Sequence, residues 1–173
     1  MRMAALVIAM SVSAVFAQWT ENGKRVPDVS WRQQKNGFGV LLLVIDKPKE
    51  FNESWSKPGR SVPVSMTETI KRNEPGVAVV IFNGCPEDAN GTCNVVADLR
   101  MLRPDGSLGV EMKNKAFWLG KPAPHAPKIQ RATTALGFKF DSSDPAGEYT
   151  VQVDVHDRVK GVTFALERRF RVE

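Results

Sequence analysis

Residues that carry chemistry are scarce in this chain. Its 173 residues include two Cys, two His and one Tyr. There is no Gly-x-Ser-x-Gly, no His-Glu-x-x-His and no phosphate-binding Gly loop, so the common hydrolase, metalloprotease and nucleotide-binding signatures are missing. No apolar run after residue 17 is long enough to cross a bilayer as a helix. Basic residues outnumber acids by only five and lie scattered, as Lys24 with Arg25, Lys47 with Lys49, and Arg168, Arg169 and Arg171. Single-stranded nucleic acid is bound along a basic groove with aromatics interleaved, and these small clusters read instead as solvated strand edges that discourage edge-to-edge pairing. No nucleic-acid partner, cofactor or catalytic residue is implied.

The N-terminus has the composition of a secretory leader. Met1-Arg2-Met3 supplies a short positive start, residues 4–16 are apolar with small side chains, and Val15-Phe16-Ala17 fits a cleavage site. Cleavage after Ala17 is expected, with retention as an uncleaved anchor as the alternative. The mature chain loses one Arg and no acid, and its formal charge falls from +5 to +4. An exported chain with two Cys suggests one disulfide. Cys85 and Cys93 flank a segment containing Asn90-Gly91, a strong turn signal that brings the two strand ends within bridging distance. A redox pair is disfavoured because the spacing is not Cys-x-x-Cys. A metal site built from these Cys with His125 and His156 would need the thiols reduced. No metal site is expected.

Residues 18–36 are polar, follow neither the helical nor the strand period, and read as an extended tail. Phe38 to Ile45 is apolar on both faces, as in a central strand or one whose second face is covered by a loop, a helix or another chain. Residues 46–57 predict a short helix or loop, with Asp46 as N-cap, Pro48 in the first turn and Phe51 meeting Trp55 at i, i+4. Residues 62–71 suggest a short edge strand, Glu74-Pro75-Gly76 a turn, and residues 77–82 an apolar strand. Val95, Ala97, Leu99 and Met101 alternate with polar or outward positions, and residues 104–107 form a tight turn into a second arm ending near Phe117 and Trp118. Gly120 to Pro127 holds three Pro and is expected to be a loop. Leu136, Phe138 and Phe140 mark a further strand. Tyr149, Val151, Val153 and Val155 alternate with Thr150, Gln152, Asp154 and His156, and Val162, Phe164 and Leu166 repeat the rule across a hairpin loop. Arg168 falls on the apolar side of that last strand, which a β-bulge would explain better than an inward ion pair. The sum is seven or eight short strands in an all-β antiparallel sandwich spanning residues 37–173.

Gly147-Glu148-Tyr149-Thr150-Val151, after the Asp144-Pro145 turn, resembles the tyrosine corner of immunoglobulin-like sandwiches. The resemblance implies an immunoglobulin-like β-sandwich in which Tyr149 bonds its hydroxyl to upstream backbone, with Gly147 and Asp144 shaping the turn. Val151 stands where antibody domains carry a strand-linking Cys, and Asp144 lies five residues before Tyr149, one more than the usual spacing. An ordinary half-buried strand aromatic is the alternative for Tyr149. The run from Phe82 through Cys85, Cys93, Asp98, residues 103–106 and residues 121–124 to Tyr149 also resembles small exported bacterial proteins of unassigned role, which implies a periplasmic or secreted location and no site residues.

Two functional expectations follow. The first is a non-catalytic domain that binds a protein or cell-envelope component, through Trp118, Pro122, Pro124, His125 and Pro127 and the disulfide loop. The second is a small-molecule or metal-binding periplasmic protein using His125, His156 and nearby acids. Asp154 and His156, two apart on one strand, share its polar face, where the acid would orient the ring.

Overall fold

A computed structural model describes residues 19–21, 24–56, 66–124 and 128–173; the expected leader lies outside them. In chain order the elements are β1 (Thr20–Glu21), β2 (Lys24–Arg25), β3 (Arg32–Lys35), β4 (Phe38–Ile45), α1 (Pro48–Trp55), β5 (Thr69–Ile70), β6 (Pro75–Asn83), β7 (Thr92–Leu102), β8 (Leu108–Pro122), β9 (Gln130–Lys139), β10 (Gly147–Asp157) and β11 (Val162–Val172). Two sheets face each other. One has the order β5-β11-β10-β7-β8, the other β3-β4-β6-β9, and β1 pairs with β2 in a separate ribbon. Pairing is antiparallel except between β5 and β11. The chain is an all-β sandwich of nine strands in two sheets, with one short helix among the described residues.

The period of two decides the core. Tyr149, Val151, Val153 and Val155 of β10 and Val162, Phe164, Leu166 and Phe170 of β11 are buried, meeting Phe38, Val40, Leu42 and Val44 of β4 and Phe82 of β6 in one cluster. The second apolar face of β4 is covered as well. Leu43 and Ile45 join Val79 and Ile81 under Phe51 of α1, with Trp19 and Trp55 packed against them. Phe51 and Trp55 meet at 5.6 Å between ring centres, as their i, i+4 spacing dictates. The helix begins one residue later than expected. Lys47 is its N-cap with no side-chain cap bond, and Pro48 opens the first turn, where its fixed φ suits the helix and its missing N–H costs nothing.

Three further expectations are corrected. Residues 32–35, read as tail, form β3, which pairs with β4 from Arg32↔Leu41 to Lys35↔Phe38. The turn between them is Asn36-Gly37 with φ of 51° and 78°, both positive, as a two-residue hairpin loop of the primed type requires. The turn placed at residues 74–76 falls earlier, around Asn73 (φ 63°), and Pro75 begins β6, a position that asks nothing of its nitrogen. Arg168 sits on no bulge. It pairs with Val151 in an unbroken register between Leu166↔Val153 and Phe170↔Tyr149, so it keeps the core-facing side, and its guanidinium lies over the Trp31 ring at 4.9 Å.

Both seams between the sheets are stitched by polar groups. Thr133 Oγ1 donates to the Ala116 carbonyl at 2.8 Å and Thr134 Oγ1 to the same oxygen at 2.7 Å, joining β9 to β8. On the other side Gln33 Nε2 donates to the Ala165 carbonyl at 2.7 Å and the Glu167 N–H to the Ser30 carbonyl at 2.8 Å.

Candidate interaction surface

The Cys85–Cys93 disulfide is formed, with Cα atoms 6.1 Å apart. Both half-cystines are buried in the core cluster, and the seven residues between them are held by their own polar groups. Asp88 accepts the N–H of Asn90 at 2.8 Å and of Thr92 at 3.0 Å through Oδ1, and the Thr92 hydroxyl at 2.9 Å through Oδ2. The backbone bond from Thr92, then its hydroxyl and the Asn90 N–H, hold the Asp88 carboxyl below the usual carboxylate range. Gly91 has φ of 75°, which the Asn90-Gly91 signal anticipates. The loop carries the chain from β6 in one sheet to β7 in the other, held by these bonds and the disulfide.

The second expected part of the surface is only partly open. Trp118 is half-buried, packs edge-on against Phe82 at 5.3 Å, and donates Nε1–H to the Pro122 carbonyl at 3.0 Å. Lys121 Nζ lies 4.7 Å above the same ring. Pro124 is buried and Pro122 exposed, while His125 and Pro127 lie outside the described residues. The Ala123 N–H donates to the Gly91 carbonyl at 3.3 Å, which docks this segment on the disulfide loop. The expected loop from Gly120 is a strand as far as Pro122, pairing Cys93↔Lys121 and Thr92↔Pro122. That is possible because β8 is an edge strand, where Pro is tolerated, and because Gly120 (φ 63°) takes up the register shift between Cys93 and Asn94.

Tyr149 is buried and its hydroxyl donates to the Pro145 carbonyl at 2.9 Å. The acceptor is four residues upstream, not Asp144. Asp144 instead accepts the Asp141 N–H at 2.8 Å through Oδ2, and Gly147 has φ of 134°, open to glycine alone at ordinary cost. These three residues shape a turn and present no reactive group.

His156 and Asp154 share the outer face of β10 but do not pair. Side chains two apart on a strand are separated by more than 6 Å of backbone rise. The cross-strand neighbours decide instead: Asp154 stands directly opposite Asp98 of β7, and two carboxylates so placed each need a cation. Asp154 takes Arg100. Asp98 takes the Asn114 N–H at 2.6 Å and stands 3.7 Å from His156 Nε2. The remaining ring nitrogen, Nδ1, is 3.2 Å from Thr163 Oγ1. No group of three or more His, Cys, Asp and Glu suited to a metal occurs among the described residues. With Asp154 held by Arg100, Asp98 by the Asn114 N–H and His156 placed between Asp98 and Thr163, thermal melts with copper, zinc or calcium are expected to leave the unfolding midpoint unmoved. A rise that vanishes in His156→Ala would establish a metal site after all.

Sequence reasoning placed β8 as the second arm of the hairpin with β7 and missed how open it is. Eleven of its fifteen residues are exposed, and Leu108, Val110 and Leu119 are among the exposed large apolar side chains. Leu108 and Leu119 lie on the outer face, opposite Leu102 and Asn94, while Val110 lies on the inner face opposite Met101. Lys113, Lys115 and Lys121 are interspersed, and Asn114 has φ of 51° where the register with β7 shifts. The absence of a clean period of two from Leu108 to Leu119 was the available signal. No helix among the described residues is long and apolar enough to cross a membrane, and the disulfide is the chemistry of an oxidising compartment.

No family model matches the chain, and no curated protein matches it. Among solved structures it is similar to a Niemann-Pick type C2 protein from the Japanese carpenter ant, at 11% identity and a TM-score of 0.40 over 76% of this chain and 89% of that one. It is also similar to the superoxide reductase (neelaredoxin) of Ignicoccus hospitalis, at 15% identity and a TM-score of 0.39 over 61% and 75%. A family 123 glycoside hydrolase from Clostridium perfringens matches at 11% identity and a TM-score of 0.41 over 78% of this chain, which spans 27% of that protein. Likeness at this level carries no statement about what the chain does.

Proposed function

We propose that the chain is a non-catalytic, periplasmic or secreted immunoglobulin-like domain that binds a protein or cell-envelope component through β8. The immunoglobulin-like reading is supported by the order β11-β10-β7-β8 in one sheet against β4-β6-β9 in the other, and by the bond from Tyr149 to upstream backbone. The disulfide supports export.

The observation that carries the binding role is the exposed apolar side chains of β8. Lys113, Lys115 and the irregularity at Asn114 guard the middle of the strand against addition of a foreign strand. Contact is therefore through side chains toward its two ends, Leu108 with Val110 near the hairpin tip and Leu119 near the disulfide loop. The test is retention of the purified domain on the envelope fraction of its source cells. Leu108→Asp and Leu119→Asp are expected to cut retention about tenfold or more, with unfolding midpoints unchanged because both side chains are exposed, while Thr163→Asp on the outer face of β11 leaves it intact. Equal retention of all the variants would remove β8 from the binding role.

A further inference from the structure

Arg168 stands on the core-facing side of β11 and forms no ion pair among the described residues. The flanking residues on that side, Leu166 and Phe170, are buried. Arg169, next in the chain, has Glu148 at 3.3 Å and Glu167 at 3.2 Å. Arg32, the other guanidinium over Trp31 at 5.1 Å, donates from Nη2 to the Pro27 carbonyl at 3.0 Å. Arg168 has no carboxylate within 4.0 Å and no hydrogen bond among the described residues, and its Nε is buried without a partner. The chain has few other candidates to supply one. Residues 1–18, 22–23, 57–65 and 125–127 contain no Asp or Glu, so Glu21 is the one acid whose side chain lies outside the description. A half-buried guanidinium loses hydration, and the Trp31 face returns part of that cost; a counter-charge would return more. Burial accordingly lowers the Arg168 pKa, while Glu68 acts through space in the opposite sense.

The guanidinium lines a cleft of about 460 Å³ together with Ser30, Trp31, Met66 and Glu68, a volume within the range of small-ligand sites. Trp31 and Met66 give it apolar walls. Glu68, Glu167 and Arg169 complete the lining; with Arg169 paired to Glu167, Arg168 faces one remaining acid, which disfavours a dianion such as phosphate. A carboxylate matches the planar fork of a guanidinium through two parallel hydrogen bonds.

We propose that this cleft binds an organic monocarboxylate with a small apolar body, the carboxylate held by Arg168 and the body lying against Trp31 and Met66. The site lies where the segments leading into β3 and β5 meet the interior of β11, and it does not depend on the role given to β8. Glu68 is the competing internal partner, an exposed side chain that has only to swing inward.

The test is a titration followed by the arginine Nε–H and tryptophan Nε1–H signals in two-dimensional NMR. Hexanoate, 1-hexanol and inorganic phosphate are added separately to the full domain. Hexanoate is expected to shift the Arg168 and Trp31 signals saturably, with hexanol and phosphate binding at least about tenfold more weakly. Arg168→Gln is expected to weaken hexanoate by a similar factor, and Glu68→Gln to tighten it by removing a like charge. The absence of a saturable shift, or hexanol or phosphate binding as well as hexanoate, would overturn the assignment. So would a Glu68→Gln variant that loses thermal stability without gaining affinity, since Glu68 would then be the counter-ion. The comparison of the three probes on the unaltered chain decides the matter even if Arg168→Gln fails to fold.

Discussion

Phe170→Ala is expected to cost about 3–5 kcal/mol, the usual range for truncating a buried aromatic. Its ring is buried at one end of the sandwich, stacked on Phe138 at 5.1 Å and on Tyr149 at 5.9 Å, with Phe140 at 6.0 Å. Phe140 and Tyr149 are themselves 4.5 Å apart, so four rings share one volume and none can move into the gap without leaving another. A poorly collapsing site sits at the high end of the range. Tyr149→Phe is the informative contrast. It keeps the ring and deletes only the hydroxyl bonded to Pro145, which should cost about 1 kcal/mol. Denaturant unfolding of the two variants measures both values, and unchanged slopes would confirm that the native states are intact. A cost below about 1 kcal/mol for Phe170→Ala would mean that the four rings do not form a close-packed unit.

The ease with which this part of the chain is read from sequence has a physical cause. β10 and β11 each have one face on the core and one toward water, and a period of two records that difference directly. β3 has no such record. Arg32-Gln33-Gln34-Lys35 contains no apolar residue, because its buried member is Gln34, which accepts the Trp19 N–H at 2.8 Å and donates to the Val26 carbonyl at 3.2 Å. Asn36-Gly37 was the legible sign of that hairpin, and composition alone masked it. Arg168 illustrates a different limit. A cation in an apolar series reads as a slip of register, since the sequence does not reveal that Trp31, in the turn that leads into β3, lies beneath it. The candidate surface was legible in its covalent part and poorly legible elsewhere. Cys85 and Cys93 announce themselves by spacing and by the Asn-Gly turn. The exposed positions of Leu108, Val110 and Leu119 do not: register shifts with β7 turn Leu108 and Leu119 to the outer face, and Val110 is open although it faces inward opposite Met101.

Removing the disulfide is the second change with a large expected effect, and it acts on the other end of the fold. Cys85→Ala with Cys93→Ala should lower stability by about 2.5 kcal/mol, the loop-closure entropy released to the unfolded chain for so short a ring. Cys93 is wholly buried, so Ala is the cleaner replacement; Ser would bury a hydroxyl and add its own cost. The native loop should survive, since Asp88 already ties Asn90 and Thr92 together and the Ala123 N–H reaches the Gly91 carbonyl independently of the sulfurs. The loss therefore belongs to the unfolded state, and amide spectra of the folded double variant should change only near residues 85–93 while the denaturation midpoint falls. The same fall should follow reduction of the unaltered protein by a thiol, which needs no substitution. If the reduced and oxidised forms unfold at one midpoint, the bridge contributes nothing that the Asp88 bonds do not already supply, and the reason for two buried half-cystines beside the end of β8 would have to be sought in what that end contacts.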